Sequence, residues 1–221
     1  MEDTAGDRVA AVAEQILAGR ERRYRSFKRA LDLCCTMVAL PLVLPVMVLL
    51  AVAIRFDSPG PVLFRQQRLG WHGRPFTLYK FRTMYREALP YALHPLQQDD
   101  ARVTRVGRFL RRTNLDELPQ LFNVLRNDMS LVGPRPEMPY IVAGYTARER
   151  LRLLAKPGLT GLWQISPHRG APIHEHLEHD LAYLEGMGLR LDVLLMLRTL
   201  PLLVRGDKAK RAAGQGGLHV S

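Results

Sequence analysis

Cysteine is nearly absent from this chain. The two that occur, Cys34 and Cys35, are adjacent and lie inside an apolar run. Such a pair builds neither a disulfide framework nor a cysteine zinc site. Lysine is scarce too. Five lysines stand against 27 arginines in 221 residues, with 21 acidic residues and a formal net charge of +11. Arg presents a planar fork that takes phosphate oxygens two at a time, whereas Lys acts as a point charge. A G+C-rich genome raises Arg content equally well, but the net charge still calls for anionic partners. The length suffices for one sizeable domain with little room for a second.

Charge is missing altogether from residues 33–54. A bilayer core takes about 20 apolar residues as a helix, so this run is long enough. It can be read as a spanning helix, as a signal peptide with Ala51-Val52-Ala53 as its cleavage site, as a buried core helix, or as a re-entrant helix. Both flanks are basic: Arg20, Arg22, Arg23, Arg25, Lys28 and Arg29 before it, Arg55, Arg65, Arg68 and Arg74 after it. A spanning helix puts one basic cluster on the wrong side. Some 30 residues precede the run, too many for a usual signal n-region. Pro41 and Pro45 lie mid-run, where each removes a helical hydrogen bond and favours a kink. The re-entrant path, broken at Pro41 and Pro45, meets these constraints together. Upstream, Val9, Val12, Ala13, Ile16 and Leu17 fall at helical spacing, which suits a membrane surface or a packed helix.

The soluble part opens with the turn Ser58-Pro59-Gly60-Pro61. Residues 62–64 and 76–81 read as strands of a hairpin, and Lys80 and Arg82 share a face of an extended chain. Residues 85–101 read as a loop. Asp116 and Glu117 are adjacent carboxylates between two basic runs, poised to stay ionised, hold a hard cation or attack an electrophile. Asp116 also reads as the N-cap of a helix with Pro119 in its first turn, which leaves Glu117 unexplained. Gly133-Pro134-Arg135-Pro136 holds one Arg between rigid residues, and Pro157-Gly158-Leu159-Thr160-Gly161 reads as a second rigid turn. His174, His176 and His179 precede Asp180; on a helix, positions two apart diverge, so no metal site is expected there. Residues 189–204 read as an amphipathic helix and 206–221 as a flexible tail.

Lys28-Arg29 with Asp32, Ser58-Pro59-Gly60-Pro61, Tyr79-Lys80-Phe81-Arg82-Thr83-Met84, Leu115-Asp116-Glu117-Leu118-Pro119-Gln120, Gly133-Pro134-Arg135-Pro136 and Pro157-Gly158-Leu159-Thr160-Gly161-Leu162 follow one another in an order that resembles the bacterial sugar transferases, which are monotopic polyprenyl-phosphate phosphoglycosyl transferases. The resemblance covers roughly residues 26–204. It implies a helix-rich α+β protein on the cytoplasmic face of a bacterial inner membrane. Residues 1–30 form a basic amphipathic segment, 31–55 the kinked re-entrant helix, 56–205 the catalytic domain and 206–221 the tail. It also implies transfer of a sugar-1-phosphate from a UDP-sugar to undecaprenyl phosphate with release of UMP, and Mg²⁺ as cofactor. By position, Asp116 is the nucleophile that forms a covalent phosphosugar, and Glu117 helps hold the metal. Arg135 binds phosphate, with Lys80, Arg82 and Arg112 beside it, and Asp180 and Tyr183 match the distal segment. Inner-membrane lipid is a partner and nucleic acid is not expected.

Two departures stand out. Leu44 precedes Pro45 where the family often has Ser, and Ser166-Pro167-His168-Arg169-Gly170 follows where relatives carry Gly-Arg. Rival readings are a membrane-tethered basic binding protein and a non-catalytic assembly subunit whose carboxylates only cap a helix. Which sugar is transferred, which pathway is served and the oligomeric state are open at this level.

Overall fold

The computed structural model describes residues 4–86, 100–169 and 171–205. Its longest element is one helix, α1 (Thr4–Asp57), in which the expected segments 1–30 and 31–55 are not separated. Helical structure is continuous through Pro41 and Pro45, so the break expected there is not present as an interruption. Each proline withdraws a single N–H from the ladder, and both are exposed, where the ring meets no packed neighbour. The rest of the ladder carries the helix.

After the turn at residues 58–61 come β1 (Leu63–Leu69) and β2 (Pro75–Phe81), paired antiparallel from Leu63 opposite Phe81 to Leu69 opposite Pro75. The hairpin is as expected, with β1 longer than the sequence indicated. Then follow α2 (Arg105–Thr113), α3 (Gln120–Leu125), β3 (Ser130–Val132), α4 (Pro139–Ala143), α5 (Ala147–Arg150), β4 (Gly158–Thr160), α6 (Leu162–Ile165), α7 (Glu178–Gly186) and α8 (Leu189–Arg205). Among the described residues the result is helix-rich α+β with two two-stranded sheets. Residues 87–99 of the expected loop and the tail 206–221 lie outside the described residues.

The second sheet corrects one expectation. Pro157 to Gly161 is not a turn, because residues 158–160 form a strand parallel to β3. The two chains touch backbone to backbone. A Cβ built on Gly158 would lie 2.0 Å from the Gly133 nitrogen, and one on Gly133 would lie 2.2 Å from the Lys156 carbonyl oxygen. Tyr183, Leu184 and Leu195 from α7 and α8 close the core over Val132 and Ala155. The hairpin is fastened to α3 by the fully buried Asn123, which accepts from Tyr79 N at 3.1 Å and donates to Thr77 O at 2.7 Å.

One stripe of α1 packs on this domain. Lys28, Asp32, Thr36, Leu40, Met47 and Ile54 are buried at steps of four and seven, the spacing of a single helical face. Near its start, Lys28 donates to Asp192 at 2.8 Å and Arg29 to the carbonyls of Val124 and Leu125. Asp32 accepts from Ser130 Oγ and Leu131 N, both at 3.0 Å. At its far end, Arg82 donates to Ser58 O at 2.7 Å, to Ser58 Oγ and to Pro59 O, and Asp57 accepts from Val106 N. The opposite face exposes Met37, Val38, Leu42, Val48, Leu49 and Phe56, the last at 88 %. The stretch from Tyr24 to Asp57 is long and apolar enough to cross a membrane, with a mean hydropathy of 2.8 and only 11 % of its most apolar part buried, unlike the core helix of a soluble protein.

The β3–β4 contact yields a test. Gly158→Ala forces a side-chain atom into backbone that has no room to yield, which costs about 3 kcal/mol or more. The melting midpoint of the detergent-solubilised protein should fall by about 6–12 °C. Gly144→Ala, whose Cβ meets nothing nearer than 3.6 Å, should leave it nearly unchanged. Equal midpoints for the two variants would remove the claim that this contact fixes the sheet.

Candidate active site

The turn that carries the two carboxylates is held at both ends. Thr104 caps α2, its hydroxyl accepting from Gly107 N at 2.9 Å. Asn114 then ends α2 in the left-handed conformation (φ 56°), its N–H returning to Leu110 O. The chain reverses and enters a single 3₁₀ turn, Leu115–Glu117, before α3 begins. Asp116 therefore sits inside this turn and is not the N-cap of α3, whose capping position is held by Pro119. The cause is Pro119, which is itself in helical conformation and prolongs the turn into α3.

Glu117 is the meeting point of two segments far apart in sequence. Its Oε1 accepts from Lys80 Nζ at 2.7 Å and from Arg135 Nη2 at 2.9 Å. All three side chains are partly open to solvent, at 18, 17 and 28 % for Glu117, Lys80 and Arg135. Burial pushes the Lys80 ammonium below the usual lysine range, against the pull of Glu117 and Asp116. Asp116 is half-buried, and its charge also acts on Arg111 and Arg135. Three cations thus surround two carboxylates, leaving local positive charge for an anionic ligand. Asp116 and Glu117 are oxygen donors of the kind a hard divalent ion takes.

Arg135 is aimed from behind. Pro134 and Pro136 limit its backbone, its guanidinium lies 5.3 Å from the Trp163 ring centre, and its carbonyl accepts from Arg152 Nη2. Arg152, almost fully buried, also holds Asp180 through Nε at 2.8 Å and through Nη2. Next to this group, Trp163 Nε1 and both amide atoms of Gln164 are buried without a hydrogen-bond partner among the described residues, polar capacity that native interiors seldom leave unused.

The sequence profile of the bacterial sugar transferases matches residues 23–206. The chain belongs to that family. It is 39 % identical over 194 residues to the UDP-N-acetylgalactosamine-undecaprenyl-phosphate N-acetylgalactosaminephosphotransferase of Aeromonas hydrophila, covering 85 % of this chain and 46 % of that protein. It is 44 % identical over 191 residues to the UDP-glucose:undecaprenyl-phosphate glucose-1-phosphate transferase of Caulobacter vibrioides, covering 82 % and 71 %. A third relative, the undecaprenyl-phosphate galactose phosphotransferase of Salmonella typhimurium, is 38 % identical over 204 residues, covering 86 % and 43 %. The chain thus spans less than half the length of the Aeromonas and Salmonella relatives and about 70 % of the Caulobacter one.

Within this family member, the expected site residues divide into two groups. Asp116, Glu117, Lys80 and Arg135 come together. Arg82 does not join them: its side chain is buried against the end of α1, so it and Lys80 do not converge on one ligand. Arg82 lies just past the end of β2, where the face-sharing rule for a strand no longer applies. Arg112 is exposed, and Arg111 is the basic residue of α2 that feels Asp116. Asp180 and Tyr183 lie in the interior. Asp180 pairs with Arg152, while Tyr183 donates to Asp192 at 2.8 Å, next to Lys28. Both tie α7, α8 and the Arg135 loop together. Arg111, Arg152 and Gln164 were the residues missed. Arg152 carried a signal, a lone charge in Leu151-Arg152-Leu153-Leu154, whereas Arg111 stands in the run 102–112, where five arginines look alike.

The Arg152–Asp180 pair predicts a non-additive pattern. Arg152→Met leaves a buried carboxylate uncompensated and costs about 3–5 kcal/mol. Asp180→Leu added to it should recover much of that loss, as read from thermal or urea unfolding. Additive losses in the double variant would contradict the pairing.

Proposed function

We propose that this chain transfers a sugar-1-phosphate from a UDP-sugar to undecaprenyl phosphate, giving undecaprenyl-diphospho-sugar and UMP, as the first membrane step of surface glycan assembly. The observation that carries the reading is the Asp116-Glu117 turn enclosed by Lys80, Arg111 and Arg135. It is supported by the names of the relatives, each of which pairs undecaprenyl phosphate with transfer of a sugar phosphate.

Asp116 is the nucleophile. Its carboxylate oxygen attacks the sugar-bearing phosphorus; an aspartyl O–P bond forms, and the bond to UMP breaks with its electron pair leaving on UMP. A phosphate oxygen of undecaprenyl phosphate then attacks the same phosphorus. The aspartyl–phosphorus bond breaks, and Asp116 returns as a carboxylate. Neither exchange requires a net proton. Lys80 and Arg135 offset the charge of the incoming phosphates, while Glu117 holds those two cations in register. Mg²⁺ fits this donor set, since it takes one or two carboxylates together with substrate phosphates. Asp116 and Glu117 would hold it, since an ionised carboxylate is an acceptor at both oxygens. When bound, it supplies charge neutralisation at the phosphoryl oxygens.

The site works at the cytoplasmic face of the inner membrane, on a helix that bends at Pro41 and Pro45 without losing its helical ladder and so enters and leaves by that face. Both ends of the apolar stretch are fastened to one domain: Lys28, Arg29 and Asp32 at one end, Asp57 and Ser58 at the other. Were α1 to cross a bilayer, these two polar anchor points would lie on opposite sides of about 30 Å of hydrocarbon. The exposed apolar faces of α1 and of α8, with Val193, Leu194, Leu197 and Leu200, meet lipid.

Asp116→Asn and Asp116→Ala should both abolish UMP release from a panel of UDP-sugars with undecaprenyl phosphate and Mg²⁺, without lowering the melting midpoint. Turnover surviving in either variant would sink the nucleophile. For topology, single cysteines at residues 8–29 and 65–74, in a background lacking Cys34 and Cys35, should react with an impermeant thiol reagent only from the cytoplasmic side. Labelling of residues 8–29 from the periplasm would overturn the re-entrant path.

A further inference from the structure

The argument from helical spacing against a metal among the C-terminal histidines fails in the structure, because the segment is not one helix. Residues 173–175 form a 3₁₀ turn, His176 breaks from helical geometry (φ −137°, ψ 42°), and α7 starts only at Glu178. The kink turns His176 back over His168, which lies in the segment where the chain departs from its family's pattern. The two rings stack with centres 4.2 Å apart, and His179 completes a group of three imidazoles. Beneath them, buried Ile173, Leu177 and Trp163 belong to one packed cluster that fixes the backbone on both sides of the kink.

We propose that His168, His176, His179 and Glu178 form a binding site for a divalent transition-metal ion of the zinc class. His168 Nδ1 faces His179 Nε2 at 3.1 Å, His176 Nδ1 lies 3.2 Å from Glu178 Oε1, and His179 Nε2 lies 3.9 Å from that same oxygen. The donor atoms of His168, His176 and Glu178 all fall within 4.8 Å of one another. Ligands about 2.0–2.1 Å from a tetrahedral zinc are separated by about 3.3–3.4 Å; the His168–His179 and His176–Glu178 spacings are already close to this, and closing the shell requires the His176 ring to swing out of its stack on His168, since imidazole binds a metal in the plane of the ring. Three imidazole nitrogens and one carboxylate oxygen fill a four-coordinate shell, which is the pattern of a closed structural site. The nitrogen-rich set selects zinc-class ions over Mg²⁺, whereas the Asp116-Glu117 pair offers only oxygen.

The ligands come from two stretches, the segment after α6 and the start of α7, so a bound ion clips them together. Asp180 follows His179 directly, and Asp180 holds Arg152, which in turn holds the carbonyl of Arg135. The clip therefore braces the outer end of the chain of contacts that aims Arg135. The proposal stands on this geometry and does not depend on the transferase reading.

The test uses the full chain, purified without a histidine tag in detergent and stripped of metal, titrated with Co²⁺ in excess Mg²⁺. Four-coordinate Co²⁺ with nitrogen ligands absorbs visible light far more strongly than six-coordinate Co²⁺ on oxygen, so the Asp116-Glu117 pair does not give the signal. One equivalent of strongly absorbing Co²⁺, displaced by Zn²⁺, is expected. His168→Ala and His176→Ala should each weaken binding by about tenfold or more while circular dichroism is unchanged. Absence of the strong band, or a band retained with unchanged affinity in both variants, would overturn the site.

Discussion

Asp32 is a buried carboxylate at the foot of an apolar helix, and the seat of β3 under that helix depends on satisfying it. Left alone there it would cost several kcal/mol. It is met by the hydroxyl of Ser130 and the N–H of Leu131, so β3 must begin under the helix. Since β3 fixes Gly133, and Gly133 fixes the loop that carries Arg135, the position of the long apolar helix and the position of the Arg135 loop are linked through one polar contact. Lys28 on Asp192 repeats the device one turn earlier and draws in α8.

The site shows how charge is concentrated without being left unpaired. Glu117 brings the hairpin and the Arg135 loop to a single oxygen atom, so two cations that would repel are held close together. Asp116 stands one residue away under the same field, on a turn too short to belong to either helix. In the transferase reading this separates the roles of the pair, with one carboxylate holding the cations and the other meeting phosphorus.

Much of this was legible beforehand, for identifiable reasons. The apolar run, the hairpin, the amphipathic helix α8 and the paired carboxylates each leave a local pattern in the sequence. Arg82 and Asp180 looked like ligand residues because a charge in a motif is indistinguishable, in one dimension, from a charge that ties down a helix end or pairs in the interior. The strand at Gly158 was hidden since its partner lies some 28 residues upstream at Ser130, and a three-residue strand has too little alternation to read. The approach of the histidines to one another was hidden by an assumption of regular helix that the kink at His176 removes.

The contact between Gly133 and Gly158 has a consequence for how such a protein can change. What seats the Arg135 loop there is the absence of side-chain atoms, which lets two backbones touch. Shape held by main chain is indifferent to the identity of the surrounding side chains. Walls that do not touch Arg135 are therefore free to be rebuilt for a different ligand, residue by residue, so long as Glu117, Trp163 and Arg152 keep the guanidinium aimed.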